Sequence, residues 1–229
     1  GQKLVYLAWG DLEAKVAQIL KGRKRVAMEY APGVSNPYIS KVDAGTVEFV
    51  RGQGVEGVSS GDLIQQYEAT WDNEQWRMHL EAERCTMSAY GMAWGLIAER
   101  IRAGGKIRET EVQAAIMDHF RQHGMTTYAP PIVGVGPNSG DPHYEPIVGR
   151  DSEIGPNDFV LIDLWCKVDQ PRAVYSDLTR VGYVGETVPE EYEKIFAIVA
   201  KARDAAVDLV QEAFAEGRNL QGWEVDDAC

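Results

Sequence analysis

Cysteine is scarce and unpaired in this chain: Cys85, Cys166 and Cys229 form an odd set with neither a disulfide framework nor zinc-type spacing. That excludes a stapled secreted scaffold and fits a reducing compartment, so the cytoplasm is the expected location. Positive charge is short as well, with 23 Lys and Arg against 35 Asp and Glu and a formal net charge of -12. Such a surface repels nucleic-acid backbones and anionic membranes, so neither is expected as a partner. No apolar run reaches the roughly 18 residues that a bilayer span needs, and no basic region followed by an apolar core opens the chain. No glycine cluster leads from a strand into Lys-Ser or Lys-Thr, which excludes a phosphate loop.

What remains is 229 residues with 45% hydrophobic content, enough for one large domain or two smaller ones. Residues 1–70 alternate in type. LVYLAW, DLEAKVAQILKG and RVAMEY read as strand, helix and strand; after Pro32-Gly33 come a helix at AGTVEFVRGQG, a strand at VEGVSS and GDLIQQYEA. This rhythm predicts an α/β unit, a parallel or mixed sheet under helices, with a structural or oligomerising role.

Residues 71–229 read as α+β. A long helix is predicted over 72–103, with Trp76, Leu80, Met87, Met92 and Ile97 facing a core and Gly104-Gly105 as its stop. Thr110 is the expected cap of a second helix, whose Ala114, Ile116, Met117 and Phe120 point inward and which ends at Gly124. The stretch YAPPIVGVGPNSG reads as strand, and a third helix runs from Pro189 to Gly217. The closing NLQGWEVDDAC reads as a turn opening another helix, so the chain is expected to stop inside a domain.

His79, His119 and His123 fall in helical segments, where structural or solvent roles are expected; the His119/His123 spacing lacks the flanking acid of an HExxH motif. His143 differs. It follows GPNSGDP, a loop leaving a strand, where binding residues are displayed. The glycines of GVGPNSG fail as a dinucleotide fingerprint, because Ser139 replaces the third glycine and no helix is expected there. Ser139 lacks a nucleophile-elbow context, and Cys166 sits in an apolar strand as an expected inert thiol.

The most informative pair is Asp163 and Asp177, in the strand-like runs FVLIDLWCKV and AVYSDLTRVGYV. Folded about a midpoint at Gln170, they would face each other with Cβ atoms about 4.5–5.5 Å apart. Two like charges so placed call for a cation between them or a shared proton. A structural acid pair is the alternative, with Arg180 unable to neutralise Asp177 because three positions along a strand reach the opposite face.

The succession GPNSGDPHY, IGPNDFVLIDLW, YSDLTRVGYVG and PEEYEKIF, over roughly residues 70–229, resembles the M24 metallopeptidases of the pita-bread fold. That family includes Xaa-Pro aminopeptidases, prolidases, methionine aminopeptidases and the metal-free creatinases. The β-α-β region resembles the end of a creatinase-type N-terminal domain, which favours the Xaa-Pro branch. The resemblance implies the end of that domain over 1–70 and the first half of a pita-bread domain over 71–229. It implies that Asp163 and Asp177 ligate metal, that His143 stands at the substrate end, and that Thr179 holds the Asp177 carboxylate from behind. The implied cofactor is a pair of divalent ions activating a water against an N-terminal peptide bond, manganese first and cobalt, iron or zinc as alternatives. A peptide substrate and a homodimer follow from the same likeness.

Two departures qualify it. The connection CKVDQPRAVYS is longer than usual, so extra residues must loop out or a bulge must correct the register. The family's remaining ligands, a histidine and two glutamates, find no match after Asp177; Glu212, Glu216 and Glu224 lie in helical context. The chain alone is therefore expected to be inactive, its carboxylates empty or sharing a proton. Two other readings use the same scaffold: a non-catalytic binding module, and a creatinase-like hydrolase without metal. The retained aspartates favour the peptidase.

Overall fold

The computed structural model describes residues 3–35 and 37–229. They divide into two compact units, Gly1–Glu74 and Gln75–Cys229. In the first unit, α1 (Trp9–Leu20) leads to β1 (Arg25–Met28), α2 (Ala44–Gly52) to β2 (Glu56–Ser59), and α3 (Gly61–Glu68) follows. The strands β1 and β2 pair in parallel with Arg25 opposite Glu56, and α2 makes the crossover between them. Asp43 starts α2 by accepting from the Thr46 amide at 2.9 Å.

One expected strand is absent. LVYLAW does not form one, and α1 begins at its last residue. A strand needs a neighbour for its backbone groups, and β1 and β2 pair only with each other.

The second unit is built on α4 (Asn73–Arg102), which runs to the predicted glycine stop. Its buried stripe is Met78, Ala82, Cys85, Thr86, Ala89, Tyr90, Ala93 and Ile97. Of the residues expected inside, only Ile97 belongs to it; Trp76 and Met87 are exposed. The small residues were the better guide, since Ala82, Ala89 and Ala93 are fully buried on this stripe beside Tyr90 and Ile97.

Next come β3 (Ile107–Arg108), α5 (Glu109–Gln122), β4 (Met125–Thr126) and β5 (Ile132–Val135). The helix α5 starts one residue before Thr110. Glu111 accepts from the Arg108 amide at 2.8 Å, which closes the helix end, while the Thr110 hydroxyl turns to Asp151 at 2.5 Å. Val112, Ile116 and Phe120 are buried and Ala114 is exposed. A short 3-10 helix, Gly136–Gly140, occupies the segment where no helix was expected. It is tighter and shorter than the α-helix a dinucleotide site would need.

Then follow β6 (Glu153–Ile154), β7 (Phe159–Val168) and β8 (Ser176–Tyr183), and α6 (Glu190–Ala215) and α7 (Gly222–Ala228) come after them. Strand β7 is the spine. Both β4 and β5 pair along it antiparallel, β8 pairs with it as well, and β3 pairs with β6 apart from them. Alternation along β7 is strict. Val160, Ile162, Leu164, Cys166 and Val168 are buried in the core with α4 and α5 residues, while Phe159, Leu161, Asp163, Trp165 and Lys167 share the half-buried face.

Candidate functional site

Asp163 and Asp177 are brought to one face of the β7–β8 hairpin, but not directly opposite each other. Asp163 pairs with Thr179, and Trp165 pairs with Asp177. The centre of the hairpin is thus Pro171 rather than Gln170. Moving the centre by one residue slides the pairing by two, so every side chain keeps its face and the two acids become diagonal neighbours, about 7–8 Å apart at their Cα atoms.

The long connection explains the shift. Arg172 adopts a positive φ of 63° at the tip. Its carbonyl accepts from Gln75 Nε2 at 3.3 Å and its guanidinium donates to Gln75 Oε1 at 3.2 Å. The Tyr175 carbonyl meets His79 Nδ1 at 2.8 Å. The extra residues are looped out onto α4, and His79 serves that anchorage.

Each aspartate has its own setting. The Thr179 hydroxyl donates to Asp163 Oδ1 at 2.7 Å. Thr179 therefore holds Asp163, its partner across the ladder, and not Asp177 as expected, because two residues along one strand are about 6.6 Å apart while a cross-strand pair is in contact. Although Asp177 is exposed, its carboxyl is shifted upward from the ordinary aspartate value, first by partial loss of water around its oxygens and then by the Asp163 charge. Arg180 does not offset that charge. It lies across from Ile162, with its guanidinium 5.1 Å from the Tyr90 ring centre and 3.1 Å from Met87 Sδ. Tyr90 braces the hairpin from beneath, its hydroxyl shared between the carbonyls of Ile162 and Leu178.

His143 is exposed and stands at a hollow of about 270 Å³ lined by Tyr128, Pro130, Pro131, Ile132, Tyr144 and Trp165 among others. Ile132 is the neighbour of Asp163 across β5, and Trp165 is the neighbour of Asp177 across β8. The hollow thus begins where the aspartate row ends. Its walls are aromatic and prolyl, with Tyr128 stacked 5.8 Å from Trp165. The backbone of His143 donates to Asp141 Oδ1 at 2.9 Å, a local turn that displays the imidazole.

The loop carrying His143 hangs on a residue that the sequence reading missed. Glu109 is wholly buried, at 0% exposure. Its Oε1 accepts from the Val135 amide at 2.7 Å and Asn138 Nδ2 at 3.0 Å, and its Oε2 from the Ser152 amide at 2.8 Å and the Tyr144 hydroxyl at 2.7 Å. Burial and this bond push the Tyr144 hydroxyl up, which keeps it a donor. A readable signal existed: Glu109, Val112, Ile116 and Phe120 fall on one helical stripe, so an acid heads an apolar face.

The structure also joins what lay far apart in sequence. Cys85 comes to His119 and His123, the one group of three or more His, Cys, Asp or Glu residues at metal-ligand spacing among the described residues. Asp163 and Asp177 have no third such residue within that spacing there.

The family model for metallopeptidase family M24 matches residues 79–229. Solved structures that resemble the chain include an X-Pro aminopeptidase from Thermotoga maritima, 20% identical with a TM-score of 0.57, over 89% of this chain and 52% of that one. A prolidase from Pyrococcus furiosus is 24% identical with a TM-score of 0.55, over 84% and 51% of the two chains. An X-prolyl aminopeptidase from Caenorhabditis elegans, described as a cytosolic enzyme with a di-nuclear active site, is 18% identical with a TM-score of 0.56, over 80% and 29%. The chain spans about half the length of the first two. Comparison with curated proteins finds no match.

Proposed function

Because the chain belongs to metallopeptidase family M24, we propose that it supplies half of the active centre of a metal-dependent aminopeptidase or dipeptidase acting at Xaa-Pro bonds. The observation that carries this reading is the aspartate row. Two carboxylates share an accessible face, Asp177 is raised by partial loss of water and by Asp163, and Thr179 pins one oxygen of Asp163 while leaving the other free. A divalent cation would relieve that repulsion, and an all-oxygen donor pair suits manganese ahead of softer ions. Divalent ions held there supply Lewis-acid polarisation of a carbonyl and a water acidic enough to ionise near neutrality.

The chain's own residues do the rest. Asp163 and Asp177 hold the charge in place, and Thr179 fixes the orientation of Asp163. His143 offers an imidazole to the scissile region from the rim of the hollow. Pro130, Pro131, Tyr128 and Trp165 give that hollow flat, apolar walls suited to a prolyl ring. Two aspartates are too few to retain two ions tightly, so the 229-residue chain is proposed to be inactive by itself. A cytoplasmic homodimer is part of the same proposal and draws support from the cytosolic C. elegans relative only for the location.

The test is manganese binding to the chain by calorimetry, beside hydrolysis of a Xaa-Pro dipeptide by the longer parent protein with and without a chelator. The reading expects weak binding that disappears in Asp163→Asn, and chelator-sensitive activity lost in the same variant. Activity that survives both chelation and Asp163→Asn would overturn it.

A further inference from the structure

The second cluster lies on the other face of β7. Cys166 is buried there, its thiol directed to the Ala82 carbonyl of α4 at 3.9 Å, and Cys85, on the same helix, is 4% exposed. Asp163 points the opposite way by strand alternation, so the sheet separates the two places. On the solvent side of Cys85 stand His119, half-buried, and His123, exposed, one turn apart on α5 with ring centres 4.1 Å apart. One ligand atom from each of Cys85, His119 and His123 lies within 4.8 Å of the others. A tetrahedral zinc with about 2.3 Å to sulfur and about 2.0–2.1 Å to nitrogen sets its donors roughly 3.4–3.6 Å apart. Side-chain rotations at His119 and His123 would be needed to bring donors within 4.8 Å to that separation.

The hydrogen bonds already prepare the imidazoles. The Ser88 hydroxyl has one hydrogen, and it goes to the Cys85 carbonyl at 2.9 Å. The 2.8 Å contact between Ser88 Oγ and His119 Nε2 is then a donation by the ring, which leaves the His119 lone pair on Nδ1. His123 Nδ1 donates to the His119 carbonyl at 2.8 Å, which leaves its lone pair on Nε2. Each ring thus has one nitrogen tied to a hydrogen-bond partner and one free, the arrangement that orients metal-binding histidines.

We propose that Cys85, His119 and His123 form a binding site for a thiophilic divalent ion, zinc first, independent of the aspartate row. One thiolate and two imidazoles are a soft nitrogen and sulfur set, whereas the aspartates are a hard oxygen set, so the two places select different ions. With His123 at the surface, water completes the fourth position.

Cobalt(II) chloride added to the chain tests this, in a Cys229→Ser background that removes the exposed thiol. One equivalent of cobalt is expected to give a thiolate-to-cobalt charge-transfer band with intense tetrahedral visible bands, displaced by zinc. The spectrum is expected to persist in Asp163→Asn/Asp177→Asn and to vanish in Cys85→Ser. His123→Ala, at an exposed position that folding tolerates, is expected to weaken binding by at least about 100-fold. No charge-transfer band, a band unchanged in His123→Ala, or a band lost with the aspartates would overturn the proposal. The His123 result decides the matter even if Cys85→Ser fails to fold.

Discussion

Replacing Glu109 by glutamine should strip the candidate site of its loop without touching any residue that meets substrate or metal. The change is isosteric, but one acceptor oxygen becomes an NH2 donor. Turned one way, that group faces the Val135 amide; turned the other way, it faces the Ser152 amide. Neither backbone donor can reverse its role, whereas the Tyr144 hydroxyl and the Asn138 amide can rotate. One buried N–H is left without a partner, at about 1–3 kcal/mol, and the surviving bonds lose their charge assistance, falling from about 1.5–3 to about 0.5–1.5 kcal/mol each. A net loss of about 3 kcal/mol is expected. For a unit of this size each kcal/mol moves Tm by about 2–4 °C, so Tm should fall by about 6–12 °C in a circular-dichroism melt. Limited proteolysis gives a second reading, since Asn138, Tyr144 and Ser152 all lie on the loop that includes His143. Cleavage should concentrate at residues 136–151. A Tm within about 2 °C of the parent, with unchanged proteolysis, would refute the claim that this carboxylate suspends the loop.

The aspartate row yields three further expectations. Asp177→Asn removes a repulsion across about 7–8 Å, worth about 0.5 kcal/mol at the dielectric of water and about 2 kcal/mol at an effective dielectric of 20. Exposure of Asp177 favours the lower figure, so the metal-free chain should melt about 1–2 °C higher while manganese affinity falls at least about 100-fold by calorimetry. Thr179→Ala frees Asp163 Oδ1 and should weaken manganese binding about 10–100-fold with little change in Tm. Because the folded-state pKa of Asp177 lies above the ordinary aspartate value of 3.8, the protonated form favours the fold; this contribution is fully present below pH 3.8 and is lost as pH rises through the folded pKa. Metal competes for the same oxygen as that proton. Manganese affinity should therefore drop on acidification at a higher pH than an unshifted carboxylate would show, and Asp177→Asn should abolish that feature of the pH profile.

The sequence made the pair Asp163 and Asp177 conspicuous because acids are rare inside apolar strand runs, and strand alternation put them on one face whichever even register applied. The register itself was not legible. It depends on how the long connection is tied to Gln75 and His79, residues nearly a hundred positions away. The same distance explains the misplaced role of Thr179, whose partner is set by the ladder. His143 was legible as a displayed loop residue, while the hollow beside it needed Trp165 and Tyr128 to converge from different segments. Glu109 was overlooked because an acid at a helix start has an ordinary explanation in the helix dipole, and only burial shows that it serves the loop.

By itself, then, the sequence determined the alternation of elements, the long helix over Asn73–Arg102, the facial pattern of Phe159–Val168 and the sharing of one face by Asp163 and Asp177. These are local properties, set by the 3.6- and 2-residue periods and by glycine and proline. The tertiary structure alone decided which of those residues meet. It slid the aspartates to diagonal positions, gave Asp163 rather than Asp177 to Thr179, buried Glu109 among four donors, and carried Cys85 to the His119/His123 pair. Contacts of that range depend on how helices and strands pack on each other, and one-dimensional periodicity does not encode the choice.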